Sequence, residues 1–144
     1  MTASSTCVFC EPSNLEGKII RHERHFISFV STPWFRAGHS LVVPTRHVTT
    51  IAELLPEESG AIMSEIGRIS ALLDDGFGSG VMQKYQPTQP ENGIKVNHLH
   101  FHVFPRHKEE DGLFPVPKPN DFTGFSQPSS DDIQQLVLKL RSPK

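Results

Sequence analysis

Apolar and polar residues along the 144-residue chain fall into short runs of two different periods. Lys18 to Arg21 and Phe26 to Val30 are rich in Ile, Phe and Val and are separated by the polar turn His22-Glu23-Arg24, which is the pattern of a β-hairpin. Trp34 to Gly38 interrupts the pattern. Ser40-Leu41-Val42-Val43 resumes it as a third strand that ends at Pro44, whose nitrogen cannot donate to a ladder. From Glu57 to about Leu73 the period changes: Ile62, Ile66, Ile69 and Leu73 recur every three or four residues and line one face of a helix, with Pro56 suited to its first turn. Gly76 to Gly80 ends that helix and leads into a fourth strand, Val81 to Lys84. A polar loop, Tyr85 to Lys95, feeds a fifth strand from Asn97 to Phe104. Gly112 to Pro128 is proline-rich and without period, an irregular arm. A last helix starts near Ser129, whose spacing to Asp132 suits a capping box, and carries the stripe Ile133, Leu136, Val137 and Leu140.

Composition narrows the class. A chain of this length closes one hydrophobic core without staples. With 36% apolar and 21% charged residues it has the composition of a soluble globular protein, and no apolar run approaches the roughly 18 residues of a membrane span. The first residues, MTASSTCVFC, lack the basic start and long apolar stretch of a secretory signal, so a cytoplasmic protein without membrane partners is expected. A formal net charge of −2 provides no global attraction to nucleic acid, so none is expected as a partner and any phosphate must be bound locally. Eight histidines and a single Cys-x-x-Cys remain to be explained.

Three of the histidines alternate in His98-Leu99-His100-Phe101-His102. Side chains alternate across a strand, which puts the three imidazoles on one face and Leu99, Phe101 and Val103 on the core face. Two chemistries fit such a row. Strand histidines bind zinc or another transition metal in catalytic sites. A neutral imidazole also serves as a nucleophile, because its ordinary pKa of about 6.5 leaves it largely unprotonated at neutral pH and its bond to phosphorus is readily broken again. Cys7-Val8-Phe9-Cys10 supplies half of a tetrahedral zinc site, for which His47 and His98 are the candidate partners. The pair reads alternatively as a redox dithiol or as two inert buried thiols. His39 reads equally well as a polar strand-start residue.

These residues resemble the histidine-triad (HIT) superfamily of nucleotide hydrolases and transferases, bacterial diadenosine polyphosphate hydrolase-like members with a zinc-binding Cys-x-x-Cys in particular. The resemblance runs from about Cys7 to Lys108. It is carried by His98-Leu99-His100-Phe101-His102-Val103-Phe104-Pro105-Arg106, and then by Cys7-Val8-Phe9-Cys10, Ala37-Gly38-His39-Ser40-Leu41-Val42-Val43-Pro44 and Thr45-Arg46-His47, all in the family's order. It implies an α+β fold of HIT type: an antiparallel sheet with one long helix packed on it and a C-terminal helix, and a homodimer formed partly through the long helix. The HIT domain would span residues 5–109, and the C-terminal arm and helix 110–144. The resemblance further implies a small-molecule nucleotide substrate. His100 attacks the α-phosphorus of an ester, anhydride or phosphoramidate, and water hydrolyses the nucleotidyl-histidine. His102 binds a phosphate oxygen and assists the leaving group, with His98 completing the triad. Structural Zn2+ would be held by Cys7, Cys10, His47 and His98. Gln83, His39, Ser31 and Phe29 fall at nucleotide-binding positions.

Two positions depart from the family pattern. Ser31 stands where Asp or Asn usually holds the ribose hydroxyls, and the loop before the triad is enlarged, with Ile94 and Lys95 at the usual Gln and Ser/Thr places. Lys95 or Lys84 is expected to compensate by contacting phosphate. A nucleotidyltransferase of the uridylyltransferase kind, a non-catalytic nucleotide-binding module and a metal enzyme using all three histidines are the alternative functions.

Overall fold

The computed structural model describes residues 7–32, 34, 37–74, 79–83, 98–105 and 126–142; of 79–83 it describes the backbone alone. Five strands, β1 (Ile19–His22), β2 (Phe26–Val30), β3 (Ser40–Pro44), β4 (Ser79–Gln83) and β5 (Phe101–Pro105), form one sheet in the order β1-β2-β3-β5-β4. Every pairing is antiparallel, which makes the fold α+β. The triad strand thus lies inside the sheet, between β3 and β4.

β2 and β3 are buried along their whole length because both faces of the sheet are covered. On one face, α1 (Pro56–Leu73) crosses β3, β5 and β4, while α2 (Ser130–Arg141) lies against β1 and β2. Ile62, Ile66, Ile69 and Leu73 of α1 join Val30, Val42, Leu99, Phe101 and Val103 and the α2 residues Val137 and Leu140 in one core. The other face carries a smaller cluster, in which Cys7, Phe9 and Leu15 cover Ile27, Phe29, Leu41 and Val43. With both faces covered, β2 and β3 are largely apolar, and their two buried serines, Ser28 and Ser40, are hydrogen-bonded to Glu65 and Gly38 O.

Several predicted boundaries move. β1 starts one residue after Lys18 and reaches His22, and β4 runs from Ser79 to Gln83 instead of Val81 to Lys84, while Pro56 begins α1 as expected. The larger correction concerns the triad: β5 begins at Phe101, so only His102 of the three histidines sits in the strand ladder. Leu99 donates its N–H instead to Val48 O at 2.8 Å, on the segment that follows β3. The alternation of faces persists nonetheless, with Leu99, Phe101 and Val103 in the main core.

Ser129 caps α2 as expected: Asp132 N–H donates to Ser129 Oγ at 3.0 Å, and Ser129 N–H to Asp132 Oδ2 at 3.2 Å. Arg141 in the last turn donates to Ile19 O and Ile20 O, occupying carbonyls of the edge strand β1 that would otherwise offer pairing to another chain. Beneath α1 the buried Glu65 accepts from Ser28 Oγ, Arg21 and Arg68, so its charge is paired and hydrogen-bonded. The turn at Gly76 to Gly78, the loop from Tyr85 to Asn97, Lys84 and most of the proline-rich arm lie outside the described residues. Trp34, where the strand pattern broke, forms a β-bridge with Ser126 at the end of that arm.

Candidate metal centre and histidine relay

The N-terminal segment, the exit of β3 and the residues just before β5 converge beside the second apolar cluster. Cys10 N–H closes a tight turn onto Cys7 O at 3.2 Å, bringing both thiols to one side. Cys10 Sγ lies 2.9 Å from His47 Nδ1, and His98 Nδ1 lies 3.4 Å from Cys7 Sγ and 3.5 Å from Cys10 Sγ. All four ligand atoms fall within 4.8 Å of one another. A tetrahedral zinc with bonds of about 2.0–2.3 Å needs ligand atoms about 3.3–3.8 Å apart, so small side-chain adjustments suffice to close the shell. Two cysteine sulfurs and two imidazoles make a donor set that could hold a metal ion such as zinc.

The tautomer of His98 fits this use. Its Nε2–H donates to Pro44 O at 2.8 Å, which leaves the Nδ1 lone pair facing the sulfurs. Burial pushes the ring's pKa down to about 4, against the opposing effect of the Pro44 hydrogen bond, with further lowering from His47 and His100. His98 is therefore neutral at physiological pH, the form a metal requires. Both of its ring nitrogens are committed, one to the backbone and one to the thiols.

The same residue controls its neighbour. His100 Nδ1–H donates to the backbone oxygen of His98 at 2.7 Å, so the lone pair of His100 is on Nε2. His102 Nδ1 meets His39 Nε2 at 2.9 Å, with one proton shared between them, and the rings of His100 and His102 stand 5.1 Å apart. His39 is fully buried and lies against the ring of Phe104 at 4.3 Å. Gly38 makes that placement possible. Its φ is +100°, and a Cβ there would come within 3.0 Å of Leu73 Cδ2 and Pro105 Cγ.

The remaining predicted site residues are placed as follows. Ser31 is buried and donates its N–H to His39 O at 3.0 Å, which puts it beside the histidine pair. Phe29 is 2% exposed and lies in the packed cluster behind Phe9, with ring centroids 5.1 Å apart. The backbone of Gln83 pairs opposite Phe101 in β5, next to the triad. Lys84 and Lys95 lie outside the described residues. Sequence reasoning missed Phe9. Its ring stands edge-on to both His98 (5.9 Å) and His100 (5.6 Å), packing against two of the three triad histidines. The only signal in the sequence was its position inside the Cys-x-x-Cys motif.

An antiparallel sheet with this helix arrangement, with three alternating histidines beside a Cys2His2 cluster, is the arrangement expected of a histidine-triad protein. The family model described as the HIT domain matches residues 13–109, and the chain belongs to that family. It is 30% identical over 139 residues to an uncharacterized HIT-like protein of Methanocaldococcus jannaschii, covering 94% of this chain and 98% of that one. It is 35% identical over 108 residues to the bis(5'-adenosyl)-triphosphatase of Dictyostelium discoideum, covering 74% of this chain and 61% of the relative. Among solved structures, a Zn-bound histidine triad family protein from Mycobacterium smegmatis superposes with a TM-score of 0.60 at 21% identity, covering 96% and 97% of the two chains. No helix among the described residues is long and apolar enough to cross a membrane.

Proposed function

We propose that the protein is a nucleotidyl hydrolase in which His100 Nε2 attacks the α-phosphorus of a small adenosine-type nucleotide, a dinucleoside polyphosphate or a nucleoside phosphoramidate. The observation that carries this reading is the 2.7 Å hydrogen bond from His100 Nδ1–H to His98 O, which selects the tautomer with a nucleophilic Nε2. The Dictyostelium relative, named for hydrolysis of a bis-adenosyl triphosphate, supports the substrate class. As the N–P bond forms, the bond from phosphorus to the leaving oxygen or nitrogen breaks, and the leaving group takes a proton. The pair His39–His102, which shares a proton and whose His102 ring centroid lies 5.1 Å from that of His100, is assigned to supply it and to bind a phosphoryl oxygen. Water then attacks phosphorus and breaks the N–P bond, the proton it releases returns to the His39–His102 pair, and His100 regains its starting form. Ser31 and Gln83, beside the pair and opposite Phe101, are assigned to sugar and phosphate, Phe29 to the floor of the base pocket, and Lys95 to phosphate.

The four-ligand cluster is assigned to structural zinc, which would hold His98 and thereby the carbonyl that orients His100. The M. smegmatis protein, Zn-bound and of the same fold, supports that assignment. Cysteines that form no disulfide suit a reducing compartment. A homodimer is proposed through α1, whose outward face exposes Met63, with Leu55 exposed at its start.

His100→Ala should keep the fold and bound zinc yet lose turnover of diadenosine triphosphate or adenosine phosphoramidate, with no nucleotidyl-histidine trapped from radiolabelled substrate. Turnover at the wild-type rate in His100→Ala would remove the mechanism. Transfer of the trapped nucleotidyl group to an added phosphate acceptor, instead of to water, would make the protein a transferase.

A further inference from the structure

Arg46 and Glu58 form a contact that neither the metal ligands nor the histidine relay explains. Glu58 lies in the first turn of α1 and is 4% exposed, although it is a carboxylate. Arg46 grips it through two parallel hydrogen bonds, Nε to Oε2 at 3.0 Å and NH2 to Oε1 at 2.8 Å, and NH2 also reaches Glu53 O at 2.9 Å. The same Oε1 accepts the N–H of Leu55 at 2.8 Å. The Arg46 hydrogen bond holds the Glu58 carboxyl below its ordinary pKa against the opposing effect of burial. A planar fork on a buried carboxylate fixes both partners in direction as well as in distance, which a lysine would not do.

The residue after Arg46 is His47. Thr45 and Arg46 form a bend just after β3. Here Arg46 turns to the start of α1, and His47 turns to Cys10 and stands edge-on to His98, with ring centroids 4.9 Å apart. This stretch lies beyond the end of β3, where no ladder holds it. Its other ties include Thr45 N–H to His25 O, the Thr45 hydroxyl to Glu23 O, and Val48 O to Leu99 N–H, on the two sides of the Arg46-His47 pair. None of them sets the Arg46 side chain.

We propose that Arg46 and Glu58 are positioning residues for the metal: by locking the peptide between Arg46 and His47 to the start of α1, the pair sets the reach and angle of the His47 imidazole. The proposal rests on the assignment of a structural metal to Cys7, Cys10, His47 and His98. It extends the cluster by a layer that originates in the long helix, and through His98 it joins α1 to the orientation of His100.

The test measures zinc affinity of the folded, metal-stripped protein by competition with a chromophoric chelator. Co2+ substitution serves as a reporter of ligand geometry. Outer partners of metal ligands typically contribute about 10–100-fold to affinity. Glu58→Gln and Arg46→Lys should each weaken zinc binding by about tenfold or more and alter the cobalt d–d bands. The double variant should lose little more than either alone, because the two residues act as one unit. Glu65→Gln, which disrupts the other buried carboxylate of α1, should lower the melting temperature without changing zinc affinity. Arg46→Lys retains a cation for Glu58 and so keeps the test valid if Glu58→Gln fails to fold. Unchanged affinity in folded Arg46→Lys or Glu58→Gln, or an equal loss in Glu65→Gln, would overturn the positioning role while leaving the metal assignment intact. Absence of stoichiometric zinc in the wild type would overturn both.

Discussion

His98 shows how much a single residue can be asked to do. Its ring faces two thiols through one nitrogen and a backbone carbonyl through the other, and its own carbonyl holds the next histidine in the tautomer a nucleophile needs. Gly38 matters for a different reason. A side chain there meets both an unfavourable positive φ and two atoms at 3.0 Å, one of them on Pro105 beside the relay. Gly38→Ala should cost about 1–3 kcal/mol of stability, read from urea unfolding, and should shift the His39 imidazole resonances. A stability change within about 0.5 kcal/mol, typical of surface substitutions, would mean that the turn relaxes without strain.

At the scale of elements, hydrophobic period alone foretold the hairpin, β3, α1 and α2, because each has an apolar stripe that matches its own geometry. The capping pair of Ser129 and Asp132 was equally visible, since both partners lie within one turn. The triad segment was legible in its face alternation and illegible in its hydrogen bonding. Leu99 pairs with Val48 and His98 with Pro44, contacts that bridge about fifty residues of chain and that no local pattern encodes. The turn between His47 and α1 carries a pH dependence of its own. Hydrogen bonds from the Thr49 N–H, the Thr49 hydroxyl and the Thr50 N–H hold the Glu53 carboxyl down at about 2, below its ordinary 4.5. A depressed carboxylate stabilises the fold above its unfolded value, and that contribution disappears as the pH falls through the folded one. The wild type should therefore melt above Glu53→Gln at pH 6, and the gap should close between pH 4.5 and about 2. A gap that stays constant across that range would show that the charge is not what the turn uses.

For the whole molecule, the two faces of the sheet divide the labour. One face carries a continuous core shared by α1, α2 and the sheet, so the C-terminal helix folds into the same unit as the triad. The other carries the small cluster of Cys7, Phe9 and Leu15, a thin cover that a metal would pin in place. A ligand that binds only the folded state stabilises it by about 2.7 kcal/mol at a hundredfold excess over its dissociation constant. Zinc added to stripped protein should accordingly raise the melting temperature by several degrees, and Cys7→Ala should abolish that rise. An equal rise in Cys7→Ala would place the metal elsewhere.

The sequence by itself, read with its family resemblance, determined the fold class, the order of the strands along the chain, the triad and the four residues that cluster as candidate metal ligands. Hydrophobic period, a Cys-x-x-Cys and alternating histidines are local patterns, and residue chemistry is written in them directly. Only the tertiary structure decided which histidine nitrogen faces which partner, that Phe9 packs edge-on against His98 and His100, that His39 pairs with His102, and that Arg46 reaches a buried Glu58. Those facts depend on residues 12 to 91 positions apart meeting at set distances, and such meetings follow from how the sheet and α1 close together, not from any spacing along the chain.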